Sequence, residues 1–218
     1  MNSQFHDLKF QKKKFFGLLE KGFSKEDRKK IIAAFQFARL KHKGQRRDEG
    51  SAYIIHPLRV GIILLENIGT WDSDVVSAAL LHDVVEDCRV RLYSIEKRFG
   101  KRVADFVRAL TRMRKKGETD TEKEIRKKEK ILTLVNEPVE VRFIKCADIL
   151  DNLRCAADVP FWSWTPIAQR KFPRWRREFH VAEGFAKKVH PVLHSEIQNA
   201  LRLFEVKRIV RGVVRLGM

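Results

Sequence analysis

The chain has 218 residues, 44% of them hydrophobic, with 46 Lys and Arg against 28 Asp and Glu, a formal net charge of +18. That length suits one domain or a domain with a small appendage. No run approaches the ~18–20 apolar residues of a membrane span, and the polar, basic stretch 1–16 lacks the apolar segment of a secretory signal. The expectation is therefore a cytoplasmic protein in which Cys88, Cys146 and Cys155, which have no metal-like spacing, are free thiols. Residues 1–55 hold 14 Lys and Arg against 6 Asp and Glu, and residues 165–218 hold 12 against 4, so each end carries +8. The middle is nearly neutral. Such a field favours an anionic partner, whether a nucleotide, nucleic acid or an acidic surface; a generally basic surface is the plainer reading of the two ends.

Almost every segment reads as helix, which makes the expected fold class all-α. Ser24 can cap a helix reaching about His42, with Asp27 in the capping-box position and Gly44 just past its end. A loop with Asp48, Gly50 and Ser51 follows, then a helix to about Asn67 with Pro57 in its first turn. Asp72 or Ser73 caps the next helix, predicted to run unbroken to about Asp87. Two shorter helices, 92–99 and 102–111, are split by Gly100. Residues 112–122 have no apolar pattern and read as a mobile loop. Helices over 121–136 and 139–157 follow, the second ended by Pro160. Phe161, Trp162, Trp164, Phe172 and Trp175 form an aromatic cluster that reads as core more readily than as a base-stacking platform. Two more helices, 166–189 and 191–204, are split at His190-Pro191. The pattern of 205–218 does not place it. In domain terms, 1–24 is a helical extension, 25–160 the core and 161–218 basic helices completing the bundle.

The informative stretch is Leu80-Leu81-His82-Asp83-Val84-Val85-Glu86-Asp87. On a continuous helix, His82 and Glu86 share a face, as do Asp83 and Asp87. Charges among core residues are costly unless paired or bound to a metal. Three further segments can converge on them: Tyr53-Ile54-Ile55-His56-Pro57; Lys145-Cys146-Ala147-Asp148, with Asn152 one turn after Asp148; and the cationic loop Lys43-Gly44-Gln45-Arg46-Arg47. Taken singly, His56 reads as a capping residue and Asp148 as a hydrogen-bonded buried acid. Together, two imidazoles and two carboxylates make a mixed N/O donor set suited to Mn, Fe, Co or Zn rather than Ca or Mg. Glu86 and Asp87 then stand where a general base and a water-positioning group are needed. Lys43, Arg46, Arg47 and Lys145 can neutralise phosphate charge.

The ordered set Gln45-Arg46-Arg47, Tyr53 to Pro57, Leu80 to Asp87, Phe99-Gly100, Ala147-Asp148 and Asn152-Leu153-Arg154 resembles the HD-domain hydrolases of the Rel/SpoT type, over roughly residues 25–160. The resemblance implies an HD-domain helical bundle of about 8–10 helices. It implies removal of the 3′-pyrophosphate of guanosine tetra- or pentaphosphate, usually with Mn²⁺. Carried over, the metal ligands fall on His56, His82, Asp83 and Asp148, the catalytic acids on Glu86 and Asp87, the phosphate-binding Arg on Arg47 and the nucleotide-contacting Asn on Asn152. The chain departs from the family pattern at Ala52 (usually Pro), Ile149 (usually Arg or Lys) and Asp151 (usually His or Tyr). Two alternatives stay open. One is the same site acting on another nucleotide, such as a nucleoside monophosphate or a phosphorylated dinucleotide like NADPH. The other is a nucleic-acid-binding protein with a degenerate HD fold, using its basic ends.

Overall fold

The computed structural model describes residues 3–112, 117–158 and 166–216, apart from the side chains of 3, 120, 123, 124, 127, 166–175 and 207–216. The described residues are all-α, without a named strand; one isolated bridge joins Arg46 and Ala52. The helices are α1 (Ser3–His6), α2 (Leu8–Gly22), α3 (Lys25–Lys41), α4 (Ile55–Ile63), α5 (Ser73–Leu81), α6 (Val84–Cys88), α7 (Leu92–Phe99), α8 (Lys101–Leu110), α9 (Asp120–Thr133), α10 (Val139–Asp158), α11 (Pro166–Ala186) and α12 (Pro191–Leu216). Ten of these are eight residues or longer; α1 and α6 are single turns. No described helix is long and apolar enough to cross a membrane.

The caps follow local chemistry. Asp7 accepts from the amides of Lys9 and Phe10 to start α2, Ser24 from Asp27 to start α3, and Asp72 from Asp74 and Val75 to start α5. Thr119 and Glu122 form a full capping box at α9. After α4 the chain widens into a π-helical turn, Leu64–Ile68, which Gly69 ends in the left-handed region at φ 69°. Gly100 separates α7 from α8 at φ 93°. The unplaced segment 205–216 continues α12.

Every residue of α4 is buried, as is α5 from Val75 onward. Helices that are apolar all round belong inside a bundle. Accordingly α4 packs against α2, α5 and α10; α5 against α3 and α8; and α10 against α12. Close approach of α2 to α4 rests on Gly61, where a Cβ would stand 2.8 Å from the Phe15 ring. The central trio α4, α5 and α10 is also where the conspicuous polar residues lie.

The predicted unbroken helix through Asp87 is corrected here. Helix α5 stops at Leu81 and α6 starts at Val84, leaving His82 and Asp83 in the break. In a continuous helix the Ala79 carbonyl would take the amide of Asp83; instead it lies 2.8 Å from His82 Nδ1. Likewise, Tyr53 and Ile54 form a turn into α4 rather than an extended stretch. The aromatic residues Phe161, Trp162, Trp164, Phe172 and Trp175 lie outside the described side chains, as do residues 113–116 of the loop expected over 112–122.

Candidate active site

Three elements deliver four side chains to one buried point: the first turn of α4 brings His56, the α5–α6 break brings His82 and Asp83, and the middle of α10 brings Asp148. His56 Nε2 lies 3.2 Å from Asp148 Oδ1 and 3.7 Å from Asp83 Oδ2. His82 Nε2 lies 3.1 Å from Asp83 Oδ2 and 3.8 Å from Asp148 Oδ1. Donor atoms of His56, His82 and Asp148 all fall within 4.8 Å of one another, a grouping that can hold a metal ion.

The two imidazoles are already oriented. His56 Nδ1 lies 2.7 Å from Asp151 Oδ2, and the buried Arg59 binds both oxygens of that Asp at 2.6 and 3.1 Å. His82 Nδ1 faces the Ala79 carbonyl, while its buried Nε2 makes no hydrogen bond. A histidine that donates through one nitrogen to a carboxylate or carbonyl and presents the other is the usual arrangement behind a metal ligand. The buried Nε2 of His82, facing the Asp83 and Asp148 carboxylates, and the N/O donor set both fit a divalent cation.

Electrostatics point the same way. Burial opposes charge on His82, yet Asp83 and Asp148 raise its pKa to about 9. Burial likewise opposes ionisation of Asp83 and Asp148, but His82 and His56 around the first, and Lys145 with the histidines around the second, hold both carboxyls below the usual range. A positive charge on His82 balances the acids here; a bound cation would take its place.

Around this cluster, the Tyr53 hydroxyl lies 2.7 Å from Asp83 Oδ2 and 2.9 Å from Asp87 Oδ2. Lys145 and Asn152 each donate to Asp148 at 2.6 Å. Arg47 donates to Asn152 at 2.8 Å. Glu86 faces the rim, where Arg112 donates to its two oxygens through Nη2 at 2.8 Å, Nε at 3.2 Å and the backbone amide at 3.2 Å. The structure therefore brings together His56, His82, Asp83, Asp148, Asp87, Lys145, Asn152 and Arg47, with Glu86 at the edge. It does not bring in Arg46, which is exposed and donates to the Gly50 carbonyl, or Lys43, which is exposed after α3.

Sequence reasoning assigned no role to Arg59, Asp151, Tyr53 or Arg112. Helical spacing carried a signal for the first two, since Arg59 is one turn from His56 and Asp151 one turn from Asp148. Arg112 sits at the start of a patternless loop and gave none.

A family model for the HD domain matches residues 34–171, which contain the whole cluster. The Drosophila melanogaster guanosine-3′,5′-bis(diphosphate) 3′-pyrophosphohydrolase MESH1 is 33% identical over 151 residues, covering 68% of this chain and 82% of the fly protein. An Aquifex aeolicus protein with the same enzyme name is 40% identical over 125 residues, covering 57% of this chain and 17% of its own. The bifunctional (p)ppGpp synthase/hydrolase SpoT of Escherichia coli is 35% identical over 127 residues, 58% of this chain and 18% of SpoT. The chain thus spans less than a fifth of the length of those two bacterial relatives. A solved structure described as a metazoan ortholog of SpoT that hydrolyzes ppGpp superposes with a TM-score of 0.65 at 30% identity, over 79% of this chain and 94% of that one. With the family model spanning most of the chain and the fly protein aligned over most of its length, the chain belongs to the HD-domain family, among the relatives of MESH1 and SpoT.

Proposed function

We propose that this chain is a divalent-metal-dependent phosphohydrolase that removes the 3′-pyrophosphate of guanosine tetra- or pentaphosphate, giving GDP or GTP and pyrophosphate. The observation that carries the reading is the four-residue N/O cluster with both imidazoles pre-oriented. The names of the fly and Aquifex relatives support the choice of substrate.

His56, His82, Asp83 and Asp148 are the residues that would hold the ion, for which Mn²⁺ suits the mixed donors. When bound, the ion would supply Lewis acidity and lower the pKa of water. Asp87, tied to Asp83 through the Tyr53 hydroxyl, orients the attacking water. Glu86 accepts its proton. Arg47 and Lys145, which end the hydrogen-bond chain through Asn152 and Asp148, receive phosphate oxygens, and Asn152 meets the nucleotide. Arg112 holds Glu86 in place until phosphate arrives and offers it a competing anion.

A second reading keeps the site and changes the nucleotide. Ile149 and Asp151 stand where the resembling family carries cationic and aromatic or His side chains, and Asp151 is turned inward onto His56 and Arg59. Incubation of the purified protein with Mn²⁺ and guanosine tetraphosphate, with products separated by anion exchange, tests the choice. The expected result is GDP with pyrophosphate. Absence of turnover, or orthophosphate as the released product, would overturn the alarmone reading.

A further inference from the structure

A second cluster lies away from the one just described. His6 at the end of α1, Glu49 in the loop before α4, and Cys155 near the end of α10 place a ring nitrogen, a carboxylate oxygen and a thiol sulfur within 4.8 Å of one another. Cys155 and the Glu49 side chain are 4% and 5% exposed. His6 Nδ1 is buried, has no hydrogen-bond partner among the described residues, and lies 3.9 Å from Glu49 Oε1. His6 Nε2 is 2.9 Å from Asp158 Oδ2. This repeats the arrangement at His56, in which one nitrogen is fixed by a carboxylate and the other faces a set of donors.

We infer that His6, Glu49 and Cys155 form a second divalent-cation site, of the zinc class. The donor set differs from the first cluster in its sulfur. Thiolate with imidazole and carboxylate selects zinc-like ions and disfavours calcium and magnesium. Zinc bonds of about 2.0–2.3 Å require the donors to draw together by on the order of 1 Å. The fourth position is left to water or to Asp158. Binding replaces the thiol proton, which leaves to solvent, with a metal–sulfur bond, and the thiolate and carboxylate balance the charge of the ion.

Position gives the site a consequence. Glu49 Oε1 also lies 3.4 Å from Arg47 Nε and accepts from Ser51 Oγ at 2.8 Å. Cys155 follows Asp151 and Asn152 by one helical turn. An ion here would pin three separate segments together: the N-terminal turn, the Arg47 loop and α10. It would stand directly behind the guanidinium that reaches Asn152.

The test uses the full chain, stripped with a chelator and reloaded with Co²⁺, whose bonds to thiolate give a near-ultraviolet charge-transfer band that N/O ligands do not. Wild type should bind two equivalents and show the band. Cys155→Ser and His6→Gln should each bind one and lose it. Asp83→Ala should bind one and keep it, which separates this site from the proposed catalytic one. Helical circular dichroism checks each variant; His6→Gln, in the single-turn α1 outside the central helices, serves if Cys155→Ser does not fold. A wild type that binds one equivalent without the band would overturn the inference, as would a band that survives in both variants.

Discussion

His56 and His82 each fix one ring nitrogen against the protein and turn the other toward Asp83 and Asp148. For His56 the fixing group is Asp151, itself held by Arg59, and both of these charges are buried. Removing one member of such a pair strands the other, at a cost of about 3–5 kcal/mol. Asp151→Ala should therefore lower the denaturation midpoint sharply, and Asp151→Ala with Arg59→Leu should lower it less than the single change. Loss of an orienting carboxylate also weakens metal binding by roughly 10–100-fold, which calorimetric titration with Mn²⁺ would read. Arg47→Ala should mainly raise KM if Arg47, which donates to Asn152, acts by binding phosphate in the ground state; an equal fall in kcat with KM unchanged would place it in the transition state instead. The metal-ligand candidates were legible in the sequence because acids and histidines amid Ala, Val and Leu are anomalous. The Arg59–Asp151 pair was harder to see, since its partners are 92 residues apart. The His6–Glu49–Cys155 group draws on three distant segments, so cysteine spacing said nothing of it.

The helices themselves were largely visible as apolar periodicity and caps, with Ser24 and Asp72 acting as read. The break at His82–Asp83 was not, because local propensity continues the helix and tertiary chemistry interrupts it: His82 turns back onto Ala79, and Asp83 takes φ −97°, ψ −10°. Packing overrides propensity at Gly61 in the same way. Alanine there gains about 1 kcal/mol in helix preference, but its Cβ meets the fully buried Phe15 at 2.8 Å, and overpacking costs about 1–3 kcal/mol. Gly61→Ala should be net destabilising by thermal melting, with Phe15→Leu partly restoring the loss. Gly100 presents a backbone case. At φ 93° and ψ 162° a side chain is strained by about 1–3 kcal/mol, so Gly100→Ala should destabilise although open space surrounds the position.

Across the whole molecule, the buried trio α4, α5 and α10 forms both the centre of the bundle and the frame of the site, so metal and fold are thermodynamically linked. An ion that binds only the folded chain stabilises it by mass action, about 2.7 kcal/mol at one hundred times its Kd; chelation should lower Tm and added Mn²⁺ restore it. The +8 carried by each end of the sequence favours an anionic partner such as a polyanionic nucleotide. If the ends instead bind nucleic acid as their main role, that binding will be steeply salt-dependent and indifferent to Asp83. The most direct test of the account measures metal content and guanosine tetraphosphate hydrolysis side by side in wild type, Asp83→Ala and Glu86→Gln. Asp83→Ala should lose the catalytic metal and all turnover, whereas Glu86→Gln should keep the metal and lose most of the rate. Full activity in Asp83→Ala would contradict the account.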